Sequence, residues 1–280
     1  MESTTLSFLV LAGQLLLLSH AFNPSSTKLN YRSQPDTQIV IEPETLIAPP
    51  LLNDEGRPLV DDLFQQAAGD NRLEQAFVNA KAKGEAAFVT YVTAGYPTPD
   101  ATPRVLLAMQ EGGASVIELG VPYSNPQADG PVIQHANRVA ISQGTDDVRA
   151  CLRMVAQARS MGLTVPVILM GYYNPFFVYG DTEDLCRGAS HAGVDGFLAV
   201  DLTLEEGDEM NASCNKFGLA NISLVAPTTS DKRIAMLSKS SSSFLYCVSV
   251  NGVTGTRNTL PDDLPAFIKR VRAQTDLPLA

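Results

Sequence analysis

The 280-residue chain is short of positive charge. It has 20 Lys and Arg against 30 Asp and Glu, a formal net charge of −10. That deficit argues against nucleic acid or an anionic membrane surface as the main partner. Histidine is scarce as well. Beyond the first twenty-odd residues only His135 and His191 remain, too few for a histidine-based zinc site. The four cysteines, Cys151, Cys186, Cys214 and Cys247, lie roughly thirty residues apart with no metal-ligand spacing, so they read as free thiols. No GxGxxG follows the first predicted strand, which removes support for a dinucleotide site. The apolar run Leu6–Leu18 is thirteen residues long, too short to span a bilayer but of the length of a signal-peptide core.

That run ends in Ser19-His20-Ala21, a small-residue cleavage pattern, so residues 1–21 read as signal-like. Phe22–Ser33 is rich in Ser, Thr and Asn, carries Lys28 and Arg32 and has no acid, as organelle transit segments do. The pair resembles the bipartite leaders that target complex plastids, with simple secretion as the alternative. Secretion would make Asn211 and Asn221 glycosylation candidates. Gln34–Gly69 mixes Pro, acids and short apolar pieces without a period, and is expected to be a linker without a core of its own. Residues 22–70 are thus transit-like segment plus acidic linker, and 71–280 the folded domain.

From Asn71 strands and helices alternate. Strands are expected at Phe88–Thr93, Ser115–Leu119, Val165–Met170, Gly196–Val200, Asn221–Ala226 and Phe244–Val248, each short and apolar. Helical spacing is expected at Leu73–Lys83, Thr102–Met109, Val132–Ser142, Asp146–Met161, Thr182–His191, Glu205–Phe217, Asp231–Ser238 and Pro261–Ala273. Strict alternation implies a parallel sheet with helices outside, either an open doubly wound sheet or a closed (β/α)8 barrel. Polar and Gly-rich residues follow many strand ends, at Thr93–Gly95, Glu118–Gly130, Gly171–Asn174 and Ser249–Thr256. A barrel gathers such loops on one face, so the barrel is the better reading. Asn71–Ala280 supplies 210 residues, whereas such barrels typically need about 250. The expectation is a barrel truncated after about six β/α units, with a seventh strand approached at Leu277–Leu279.

The most informative stretch is Val116–Pro131, VIELGVPYSNPQADGP. Glu118 interrupts an apolar strand, where an ionised side chain costs several kcal/mol unless paired or put to use. Asp129 closes the loop that follows. Two carboxylates so placed can share a pocket. Glu118 as a structural ion-pair partner and Asp129 as a turn residue or helix cap are the simpler alternatives. A divalent metal between them lacks an evident third ligand.

Glu118 within ELGVPYSNPQADGP, with Gly252-Val-Thr-Gly255 after YCVSVN, resembles the alpha subunit of tryptophan synthase. FVTYVTAGYP, VPVILMGYYNP and AGVDGFLAVDL support the resemblance, which covers about residues 72–279. It implies a (β/α)8 lyase that splits indole-3-glycerol phosphate into indole and glyceraldehyde 3-phosphate by a retro-aldol step. No cofactor or metal is implied in this chain. Pyridoxal phosphate belongs to the beta subunit, which receives the indole in an α2β2 complex. A carboxyl group that changes protonation state suits the chemistry at Glu118, and Asp129 as a fixed carboxylate suits the indole N–H. The resemblance gives these residues the same roles. It places Tyr91 and Met170 along the indole pocket and Tyr246 against the substrate. It also has Thr254 helping to position Asp129, and Gly255 offering a backbone N–H to phosphate. The segments Ser124–Gly130 and Tyr172–Phe176 match regions that meet the partner. Asn125 stands where the family usually has Asp, and Gln127 where it usually has an apolar residue. The resemblance leaves two further readings: an alpha-like chain that only docks on the beta subunit, and another phosphate-sugar barrel such as an isomerase.

Overall fold

The computed structural model describes residues 72–249 and 261–280. The leader and linker expectations, and Thr254 and Gly255, fall outside the described residues.

The described chain begins with helix α1 (Arg72–Lys83), then β1 (Val89–Thr93), α2 (Thr102–Glu111), β2 (Val116–Gly120), α3 (Pro131–Ser142) and α4 (Val148–Ser160). Next come β3 (Val167–Gly171), α5 (Tyr173–Phe177), α6 (Thr182–His191), β4 (Gly196–Ala199) and α7 (Asp208–Lys216). Strands β5 (Ala220–Asn221) and β6 (Ser223–Val225) precede α8 (Asp231–Ser240), β7 (Leu245–Cys247) and α9 (Leu264–Arg272). Strands β1 to β5 pair in sequence order and in parallel, and β6 pairs in parallel with β7. Around Ile222, β5 and β6 form one extended segment. Its first half faces β4, where Ile222 N–H donates to the Phe197 carbonyl (2.9 Å), and its second half faces β7. Leu279 forms an isolated parallel bridge with Leu245 of β7, within the Leu277–Leu279 stretch where the sequence approaches a further strand. A doubly wound sheet reverses its strand order partway. The consecutive order here is that of a (β/α) barrel. Among the described residues no helix is long and apolar enough to cross a membrane.

Side chains alternate along a strand, giving an inner cluster and an outer layer, with a third cluster that packs Val225, Leu245 and Cys247 against α8 and α9. Ile117, Leu119, Leu169 and Phe197 point outward into a layer with Leu106, Cys151, Val155 and Phe176 from the helices and loops. Val89, Val116, Ile168, Leu198, Ile222, Phe244 and Tyr246 point inward, and Leu73 of α1 joins them. Fully burying one Leu, Ile or Phe contributes about 1.5–3 kcal/mol, so this double layer is the main source of stability.

The amino-terminal rim is tied by a buried carboxylate. Asp195 accepts from Arg72 Nε (2.7 Å), from Arg159 (2.8 Å) and from the Val167 N–H (2.8 Å), joining α1, α4, β3 and the approach to β4. Burial lowers the Arg159 guanidinium to about 10, and Asp195 works against that shift.

Two local expectations change. The helix predicted from Glu205 starts at Asp208, because residues 203–207 form a turn in which Thr203 Oγ1 donates to Glu206 (3.0 Å). The stretch Gly171–Asn174, read as a loop after the strand, runs into a short helix at Tyr173–Phe177. Pro175 sits in its first turn, where no intrahelical N–H bond is lost. The Tyr173 N–H donates to Asp201 Oδ1 (2.6 Å), which caps the helix from the neighbouring loop.

Candidate active site

Strand alternation places Tyr91, Glu118, Met170 and Tyr246 on the inward face. Each lies two residues from an inward neighbour: Val89, Val116, Ile168 and Phe244 respectively. The register sets Tyr91 opposite Glu118, and Gly120 opposite both Thr93 and Met170. Gly120 has to lack a side chain, because a Cβ there would collide with the Tyr91 hydroxyl. Tyr91 instead lies over that gap, 3.3 Å from Thr93 Oγ1.

Glu118 is 1% exposed. Among the described residues no cation forms an ion pair with it and its Oε1 has no hydrogen-bond partner, so the ion-pair alternative finds no partner there. Burial alone pushes its carboxyl up to about 8, which makes the neutral acid the resting form at neutral pH.

Asp129 lies at the end of the loop between β2 and α3 and is half-buried. It does not cap α3: Gly130 is the N-cap residue, with no side-chain cap bond. The Asp129 carbonyl accepts from Gln134 Nε2 (2.8 Å), and its N–H donates to Pro126 O (3.2 Å). Burial raises its carboxyl to about 6, while a hydrogen bond from the Tyr172 hydroxyl pulls in the opposite direction. Burial raises both Tyr91 and Tyr246, and the charges of Glu118 and Asp129 add to the shift in each. The four side chains therefore share one electrostatic environment. Met170 packs on the inward cluster beside them.

Tyr172 was missed as a site residue. Its hydroxyl accepts the Ala128 N–H (2.7 Å), and its ring lies 5.0 Å from that of Tyr123. In sequence it is one of two adjacent tyrosines after a strand, and nothing local reveals that it reaches back to the preceding loop.

The four cysteines are free and buried, as expected, and Cys186 and Cys214 face each other with sulfurs 3.9 Å apart. A cavity of about 510 Å³ opens at the opposite end of the strands, lined by Arg72, Asn79, Lys83, Ser115 and Thr164. It is remote from the carboxyl groups.

Fold and site together define a (β/α) barrel with one carboxyl group, Glu118, buried on an inner strand face and a second, Asp129, in the loop that follows the same strand. The sequence profile described as tryptophan synthase alpha chain matches residues 77–280, and the chain belongs to that family. It is 48% identical over 210 residues to the tryptophan synthase of Saccharomyces cerevisiae, covering 75% of this chain and 29% of that one. It is 43% identical over 209 residues to the tryptophan synthase alpha chain of Roseiflexus castenholzii, covering 75% and 79%. Its fold is similar to that of the tryptophan synthase subunit alpha of Legionella pneumophila, with a TM-score of 0.68 at 36% identity over 75% of this chain and 77% of that one. A tryptophan synthase structure from Mycobacterium tuberculosis gives 0.68 at 33%, over 74% and 78%.

Proposed function

We propose that the chain acts in tryptophan biosynthesis as the alpha-reaction lyase, releasing indole and glyceraldehyde 3-phosphate from indole-3-glycerol phosphate. The observation that carries this reading is Glu118, a carboxyl group kept neutral by burial, on the inward face beside Tyr91 and Tyr246, which also feel the charge of Asp129. Protonation of indole carbon 3 by Glu118 makes the ring an electron sink. The bond from carbon 3 to the glycerol chain then breaks, its electrons return to the ring, and the adjacent hydroxyl becomes the aldehyde as its proton passes to the Glu118 carboxylate. One proton moves from oxygen to carbon, and the acid is regenerated. Asp129 accepts the indole N–H and stabilises the positive character that develops on nitrogen. Tyr91, Met170 and Tyr246 form the apolar wall against the ring, and Thr254 and Gly255 are assigned to Asp129 and the phosphate by resemblance. These steps draw on no cofactor; pyridoxal phosphate is assigned to the beta chain.

Phe177 and Val178, each 66% exposed, give an apolar contact on the same face for a beta chain. A plastid location remains the proposal for the leader. Asn211 and Asn221 support it over secretion, since Asn211 Nδ2 is bonded to Ser240 (2.8 Å) and Asn221 Nδ2 to Asn211 (2.6 Å) in half-buried positions. The deciding experiment is indole release from indole-3-glycerol phosphate with a beta chain present. Glu118→Gln is expected to lower turnover by about 10²–10⁴-fold with the protein still folded. A wild-type chain that binds the beta chain but releases no indole would leave only the docking role.

A further inference from the structure

Resting on the reaction proposed above, we infer that Tyr172 is a positioning residue that sets the height of Asp129 in the site, and that Asp201 holds Tyr172 in place. The loop before α3 is poorly fastened by itself. Ser124, Asn125, Gln127 and Ala128 are exposed, and its internal bonds are short-range turns such as Gln127 N–H to Asn125 O (3.0 Å). Such a segment needs an external anchor to hold a carboxylate within the narrow tolerance a reaction demands. Tyr172 supplies it from the end of β3. Its hydroxyl accepts the Ala128 N–H at 2.7 Å, and it lowers the Asp129 carboxyl against the pull of burial, so one oxygen acts on both the backbone and the functional group.

Tyr172 is itself held from two sides. The Tyr123 ring stacks on it at a 34° interplanar angle. The peptide that follows it donates its Tyr173 N–H to Asp201 Oδ1. Asp201 follows β4, so three successive strand-end loops form a chain: Asp201 seats the start of α5, α5 seats Tyr172, and Tyr172 seats Asp129. Among the described residues, the titratable groups that feel the Asp129 charge are Tyr172, Tyr91 and Tyr246, and the last two feel that of Glu118 as well.

The test uses the full chain with a beta chain and indole-3-glycerol phosphate as substrate. Tyr172→Phe keeps the ring stack and removes the hydroxyl. It is expected to lower kcat about tenfold and to leave KM within about twofold, because the substrate still binds. The acid limb of kcat should move to higher pH, because Asp129 loses a donor to its ionised form. Asp201→Ala should lower kcat in the same sense, and Asp201→Asn, which retains an acceptor oxygen, should restore it. Amide exchange at Ala128 should accelerate in Tyr172→Phe. Wild-type kcat and acid limb in Tyr172→Phe, with Asp129→Asn inactive, overturns the inference while leaving the reaction intact. Unchanged Ala128 exchange overturns it independently of turnover. Absence of indole from the wild-type chain is the separate failure of the reaction itself.

Discussion

Glu118 on β2 is paired in register with Tyr91 on β1, and both side chains turn toward the barrel interior. A carboxyl group thus has a phenol as its cross-strand neighbour and apolar residues above and below it on its own face. Among the described residues no charge compensates it. Its protonation state is set by dehydration alone, and measurable consequences follow from that.

The first concerns rate against pH. The proposed reaction begins with Glu118 protonated and Asp129 ionised. Activity, followed as kcat/KM for indole release, should rise through about pH 6 as Asp129 ionises and fall through about pH 8 as Glu118 loses its proton. Asp129→Asn should abolish the acid limb together with most of the activity. A profile flat from pH 5 to 9 would contradict these assignments.

A second concerns stability. The Glu118 carboxyl has an ordinary value of 4.5 and a folded value of about 8. Below pH 4.5 it is neutral in both states, and its contribution is fully present. As pH rises toward 8 the unfolded chain ionises while the folded one stays protonated, so stability is lost until the folded group titrates too. Glu118→Gln does not titrate. Its unfolding free energy relative to wild type should therefore improve between pH 4.5 and 8.5, by on the order of 3–5 kcal/mol. Denaturant melts at the two pH values read this directly, and an equal difference at both would refute the buried neutral acid.

At the other rim, Asp195→Ala removes the shared partner of Arg72 and Arg159 and leaves Arg159, 7% exposed, without its counter-ion and held only by the carbonyls of Leu163, Val165 and Gly193. Breaking a buried pair from one side costs about 3–5 kcal/mol, so a large drop in urea midpoint is expected. A loss under 1 kcal/mol would show that water reaches Arg159 freely.

Much of this architecture was legible because it depends on period. A single residue type could not show that Glu118 points inward. Val116, Ile117 and Leu119 flank it with apolar side chains on both faces, and its inward turn is seen only in the parallel register of β1, β2 and β3. What escaped was tertiary. The helix at Tyr173–Phe177 depends on a cap from Asp201, twenty-eight residues away, and Pro175 disguised it as a loop. The late start of α7 reflects a local Thr203–Glu206 bond competing with helix formation. Tyr172 carried no signal, since its bonds run forty-four residues back along the chain. The Asn125 and Gln127 departures lie exposed in that same loop, and nothing in the structure explains them.

Asp195 and Asp129 lie beyond opposite ends of strands about five residues long, and such a strand alone spans roughly 13–16 Å. At that distance substitutions act on stability nearly independently. The molecule is therefore modular along its own axis. Selection can retune the reactive rim, even to the point of exchanging the substrate, while the clasp at the far rim keeps holding the strands together.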